Sequence, residues 1–122
     1  MRSIKIIHAA DFHLDSPFQA LTAAKAAMRR EEQRDLLNAL SALAANESAD
    51  LMLLSGDLLD SENTCTETGE ALIRHLAEVP CPVFIAPGNH DCWTERSPWA
   101  RLKLPENVHA ISAPLVFKLC VF

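Results

Sequence analysis

Leu51-Met52-Leu53-Leu54-Ser55-Gly56-Asp57-Leu58-Leu59-Asp60 decides the fold. Its apolar run is too short to make a helix of its own and is closed by Gly56-Asp57, so it reads as a buried strand that stops abruptly at a carboxylate. Upstream, Ile4-Lys5-Ile6-Ile7-His8-Ala9-Ala10 has the look of a strand covered on both faces and stops at Asp11. Between them, Phe18 to Asn46 is rich in Ala, Leu, Arg, Glu and Gln, with Leu36, Leu40, Leu43 and Ala44 at helical spacing, which predicts a helical crossover. Downstream, Leu72, Leu76 and Val79 mark one face of a second helix that Pro80 and Pro82 stop. Val83-Phe84-Ile85-Ala86 then forms a third strand, ended by Pro87-Gly88. A short helix near Pro98 to Lys103 and strand-like runs at Val108 to Ile111 and Leu115 to Val121 complete the pattern. Strand, helix, strand, helix, strand predicts an α/β fold: a parallel β-α-β-α-β core with right-handed crossovers.

The chain has 122 residues, 49% hydrophobic and 22% charged, which fits one small globular domain and excludes disorder, collagen and coiled coil. No apolar run reaches the ~18 residues of a membrane span, and the N-terminus lacks a signal segment, so a cytoplasmic protein is expected. The four cysteines form no C-x-x-C pair, which points to reduced thiols rather than a zinc cluster or a disulfide scaffold. A formal charge of −5 argues against a generally basic surface, although clustered acids that bind cations reverse the local field. Leu115 to Phe122 is apolar with nothing after it to cover it, which reads as a cut edge that would seek a partner by strand addition.

Each of the three parallel strands ends in groups that can bind a metal. Asp11 and His13 follow the first, Asp57 and Asp60 the second, and Asn89, His90 and Asp91 the third. Ligands collect at the carboxyl ends of strands in open α/β sheets, and neighbouring strands lie ~4.8 Å apart, so these side chains are expected to share one crevice. Asp11, His13, Asp57 and Asn89 supply the carboxylate, imidazole and amide donors that manganese, magnesium, iron or zinc accept. A carboxylate can bridge two such ions ~3.5 to 4 Å apart, and Asp57 is the natural bridge. Gly56 and Gly88, two of only three glycines, permit the sharp turns beside it. His90 suits contact with a phosphate or proton donation to a leaving oxygen, with Asp91 fixing its orientation.

Asp11-Phe12-His13, Gly56-Asp57-Leu58-Leu59-Asp60 and Gly88-Asn89-His90-Asp91 together resemble the first three motifs of the calcineurin-like metallophosphoesterases. His8 to Phe18 resembles more specifically the DNA-repair exonuclease branch, the SbcD-type nuclease subunits. The resemblance spans roughly Ile4 to Ser112 and implies the first half of a β-sandwich flanked by helices. It implies two divalent cations, manganese foremost, with Asp11 and His13 on the first, Asp57 bridging, and Asn89 on the second. His90 would contact the scissile phosphate and protonate the leaving group, and Asp91 would support it. It also implies DNA as substrate, an SMC-like ATPase partner and a homodimer. Family members complete the site with three further histidines, including a Gly-His-x-His segment. Here only His90 and His109 follow Asn89, so the chain is expected to correspond to the N-terminal part of a catalytic domain and, by itself, to bind metal weakly.

Other residues have plainer expected roles. Asp60 reads as a capping or loop-fixing residue rather than a ligand, and Asp15 similarly. His8, His75 and His109 read as structural or solvent-exposed, Trp93 and Trp99 as packing a loop onto the body, and Arg29, Arg30 and Arg34 as a solvated helix face paired with its acids. Three functions compete: a DNA nuclease, a phosphatase or small-molecule phosphodiesterase built on the same centre, and a non-catalytic binding or assembly module.

Overall fold

The computed structural model describes residues 3–112. In chain order the elements are β1 (Ile6–Ala9), α1 (Ala23–Asn46), β2 (Leu51–Ser55), α2 (Thr66–Ala77), β3 (Val83–Ala86), α3 (Pro98–Arg101) and β4 (Val108–Ala110). The four strands form one parallel sheet in the order β1-β2-β3-β4. The expected α/β core is therefore present, and the run at Val108 joins it as a fourth parallel strand. The expected strand Leu115 to Val121 lies outside the described residues.

Because each strand pairs with its chain successor, right-handed crossovers carry α1 and α2 over the same face. Burial follows that geometry. Ile7, Met52, Val83 and Val108 share one register row, and Ala9, Leu54, Ile85 and Ala110 another. Met52, Leu54, Val83 and Ile85 in these rows are fully buried with Leu72 and Leu76 of α2 and Leu37, Leu40 and Ala44 of α1. The opposite face carries Ile6, 53% exposed, and the Phe84–His109 ring stack. β1 was expected to be covered on both faces; among the described residues it is covered on one, because a sheet wound in a single direction receives its crossover helices on one side only.

Helix α1 differs from expectation at its start and in its buried stripe. It begins after Thr22, whose side chain accepts a hydrogen bond from the Lys25 amide, rather than at Phe18. Phe18 has φ 47°, which no helix continues through. Leu36 and Leu43 are each 47% exposed, and the inward positions are Ala26, Leu37, Leu40 and Ala44. On the outer face Arg29 pairs with Glu32 at 2.7 Å, the solvated ion pairing expected there. Helix α2 ends as its prolines require, and the Asn107 amide donates to the carbonyls of Leu76 and Val79 to finish it. Among the described residues no helix is long and apolar enough to cross a membrane.

Candidate metal centre

The loops leaving β1 and β2 do not separate. The amides of Asp11, His13 and Leu14 donate to the carbonyls of Gly56, Asp57 and Leu58, and the Asp60 amide donates back to Leu14 O, all within 2.9 to 3.0 Å. Leu14, Leu58 and Leu59 plug into the core at 0 to 2% exposure and pin this ladder from below. The same two loops are tied to the third strand, where the Gly56 amide donates to Ala86 O at 2.7 Å. Backbone pairing therefore continues past the strand ends and holds the side chains of the loops side by side.

Asp11, His13 and Asp57 converge so that one donor atom from each lies within 4.8 Å of the others. All three have positive φ, at 59°, 46° and 53°, a region that Asp and His tolerate better than most residues but at a cost of roughly 1–3 kcal/mol each. Gly56, at φ +82°, makes the turn before Asp57. Gly88 is needed for space: a Cβ there would overlap the Asp57 carboxylate and lie 2.5 Å from its amide nitrogen.

A second group, His13, Asp60 and His90, converges within the same distance. His13 Nδ1 lies 3.1 Å from Asp60 Oδ1, and an ionised carboxylate only accepts, so Nδ1 carries the proton. In the neutral imidazole Nε2 is then a bare acceptor, and it faces Asp11 Oδ1 at 4.0 Å. Two acceptors facing across such a gap fit a cation, since a metal bond to nitrogen or carboxylate oxygen is ~2.0–2.2 Å. Asp60 thus orients His13, the loop-fixing role its position suggested. His90 Nδ1–H donates to Asp60 O at 3.1 Å, which leaves Nε2 pointing away from that anchor. The His13 and His90 rings meet edge to face, centroids 5.0 Å apart.

His90 and Asp57 are also joined directly, because the His90 amide donates to Asp57 Oδ1 at 2.9 Å. Asn89 precedes it, exposed, and its side chain makes no hydrogen bond among the described residues. Asp91 is fully buried and faces backbone. Its Oδ1 accepts from the amides of Gly88 at 2.6 Å and Asp57 at 3.2 Å, and its Oδ2 from Leu58 at 3.0 Å and Leu59 at 3.2 Å. The expected support of His90 by Asp91 is accordingly indirect, through the loop that carries Asp57, while the Asp60 carbonyl holds the imidazole itself. Trp99, buried at 2% exposure, donates to Asp91 O at 2.8 Å and packs its loop onto the body as expected. Asp15 Oδ2 accepts from the Cys65 amide at 2.9 Å, at the entry to α2.

Gln33 was missed by sequence reasoning. From α1 its Nε2 donates to Phe12 O at 2.9 Å and His13 O at 3.0 Å, so the first crossover grips the loop that carries Asp11 and His13. A polar residue on the buried stripe, at i−4 from Leu37, was the available signal.

The calcineurin-like phosphoesterase family model matches residues 4–117. The chain is 32% identical over 119 residues to the uncharacterized metallophosphoesterase YhaO of Bacillus subtilis, covering 93% of this chain and 29% of that protein. It is 25% identical over 115 residues to a subunit of the nuclease SbcCD of Bacillus subtilis, covering 91% of this chain and 28% of the relative. It is also 30% identical over 90 residues to a Coxiella burnetii protein described as a probable cyclic nucleotide phosphodiesterase, covering 72% of this chain and 32% of the relative. The chain therefore spans less than a third of the length of these relatives.

Proposed function

The chain belongs to the calcineurin-like phosphoesterase family, and from that premise we propose that it forms part of a divalent-metal-dependent phosphodiester hydrolase whose substrate is DNA. The observation that carries this reading is the convergence of Asp11, His13 and Asp57 at adjoining strand ends, with His13 Nε2 facing Asp11 Oδ1 at 4.0 Å. The donor set fits two hard or borderline divalent cations, manganese foremost and magnesium, iron or zinc compatible. Asp11 and His13 would hold the first, Asp57 would bridge, and Asn89 would hold the second.

Bound cations would polarise a phosphoryl oxygen and activate water for in-line attack. The remaining work falls to the chain. His90, anchored through Nδ1 on Asp60 O, presents Nε2 to the phosphate and delivers a proton from it to the leaving oxygen. Asp60 fixes the His13 tautomer. Asp91 is a positioning residue that keeps Asp57 and His90 on one loop assembly through four backbone amides.

DNA repair as the setting, a cytoplasmic location, a homodimer and an SMC-like ATPase partner belong to the same proposal, of which the likeness to a nuclease subunit supports the nuclease activity. A small-molecule phosphodiesterase is the second reading, favoured by the likeness to a protein described as acting on cyclic nucleotides. The product of the complete coding sequence, assayed with Mn²⁺ on single-stranded DNA, cyclic nucleotides and phosphoproteins, separates the two. Metal-dependent DNA cleavage is expected. Rapid turnover of cyclic nucleotides or phosphomonoesters with no DNA cleavage would reject the nuclease assignment.

A further inference from the structure

Two cavities of 460 Å³ and 530 Å³ flank the start of α2 and share Thr64, Cys65, Thr66 and Arg101, so they form one trough. Arg74, Arg101 and Lys103 line the first and Arg96 and Arg101 the second, against only Glu70 and Glu62. Four of the chain's 11 basic residues are thus gathered here, in a protein whose formal charge is −5. Among the described residues none of the four makes a side-chain hydrogen bond or ion pair, unlike Arg29, which Glu32 neutralises.

The trough is tied to the loops that carry the metal centre. Asp15, two residues after His13, binds the Cys65 amide at 2.9 Å, and Glu62 of the trough wall lies two residues after Asp60. Guanidinium groups left without carboxylates, arrayed beside a site that handles a phosphate ester, match a ligand with several phosphates in line.

We infer that this trough is a track for the sugar-phosphate backbone of a single nucleic-acid strand. Arg74, Arg96, Arg101 and Lys103 hold the phosphates next to the one presented at the metal centre. The inference rests on the hydrolase reading above and deepens it, because such a track favours a strand over a mononucleotide ester.

Binding in chelator tests the track without the enzyme. A fluorescent single-stranded oligothymidylate is titrated with the chain by anisotropy between about 50 and 200 mM salt, where each phosphate neutralised on a single strand contributes ~0.7 to the log–log salt slope. Arg96→Gln with Arg101→Gln is expected to weaken binding at least about tenfold at the low-salt end and to flatten the slope by ~1.4, two phosphate contacts' worth. Arg96→Lys with Arg101→Lys keeps the charge and is expected to retain the slope, which separates lost contacts from lost folding. Arg29→Gln, exposed on α1 and outside the trough lining, is expected to change neither. No strand binding by the unsubstituted chain, an unchanged slope in the double glutamine variant, or an equal loss in Arg29→Gln overturns the track. Hydrolysis of bis(p-nitrophenyl) phosphate with Mn²⁺ is scored separately, so failure of the hydrolase reading is distinguishable from failure of the track.

Discussion

Replacing Asp91 by Asn asks whether the loops after β2 and β3 are held together by one buried carboxylate. The two oxygens of Asp91 accept from four backbone amides, and the side chain is fully buried. An asparagine offers one acceptor oxygen and turns an NH₂ group toward the other amides, so at least two donors lose their acceptor. Hydrogen bonds to a charged group contribute about 1.5–3 kcal/mol each, which sums to roughly 3–6 kcal/mol. A domain of this size is stable by only about 5–15 kcal/mol. At roughly 3–6 °C per kcal/mol the melting temperature of Asp91→Asn should fall by about 10 °C or more. Thermal and guanidinium unfolding followed by circular dichroism in chelator reads this without any contribution from bound metal. A variant within about 1 kcal/mol of the unsubstituted chain would refute the reasoning, because the four amides would then have found other acceptors at no cost.

Gly88→Ala should displace the Asp57 carboxylate, since the new methyl group overlaps it; a fall of about tenfold or more in Mn²⁺ affinity by calorimetry is expected, and unchanged affinity would show that Asp57 is not a ligand. Gln33→Glu places a carboxylate against the carbonyls of Phe12 and His13, so a loss of about 2 kcal/mol or more in denaturant unfolding is expected, with Gln33→Leu losing less. Burial, reinforced by the charge of Asp50, raises the Cys81 thiol above its usual range, whereas Cys65 and Cys92 are exposed. Less thiolate and less access at neutral pH mean that alkylation of the native chain should label Cys65 and Cys92 ahead of Cys81, as read by peptide mass mapping.

The parts of the fold set by local chemistry were legible. β2 and β3 are short apolar runs closed by Gly56 and by Pro87-Gly88, and their bounds follow from that punctuation. α1 was harder, because Phe18 to Leu21 have helix-forming composition, while the left-handed turn at Phe18 is imposed by the loop that carries the site. Leu36 and Leu37 are adjacent and chemically alike, so which one faces inward depends on how α1 is rotated over the sheet. β1 is open on one face among the described residues for a similar reason: an apolar sequence does not reveal which of its faces a helix will cross. Asp11, His13 and Asp57, which the structure brings together, stand out in the sequence because they follow directly on two short apolar runs. Gln33 and the buried Leu14, Leu58 and Leu59 were not, since their roles arise from contacts between distant segments. Asp91 was singled out, but its partners are main-chain amides, which no side-chain pattern discloses.

Paramagnetic broadening by Mn²⁺ in ¹H–¹⁵N spectra of the chain tests the central claim most directly, because it reports the location of even a weakly held ion. Selective loss of the amide signals at positions 11–13, 56–60 and 88–91, abolished together in Asp57→Asn, is the predicted result. Broadening centred on Glu31, Glu32 and Asp35 of α1, or spread evenly over the chain, would contradict a metal centre at the ends of β1, β2 and β3.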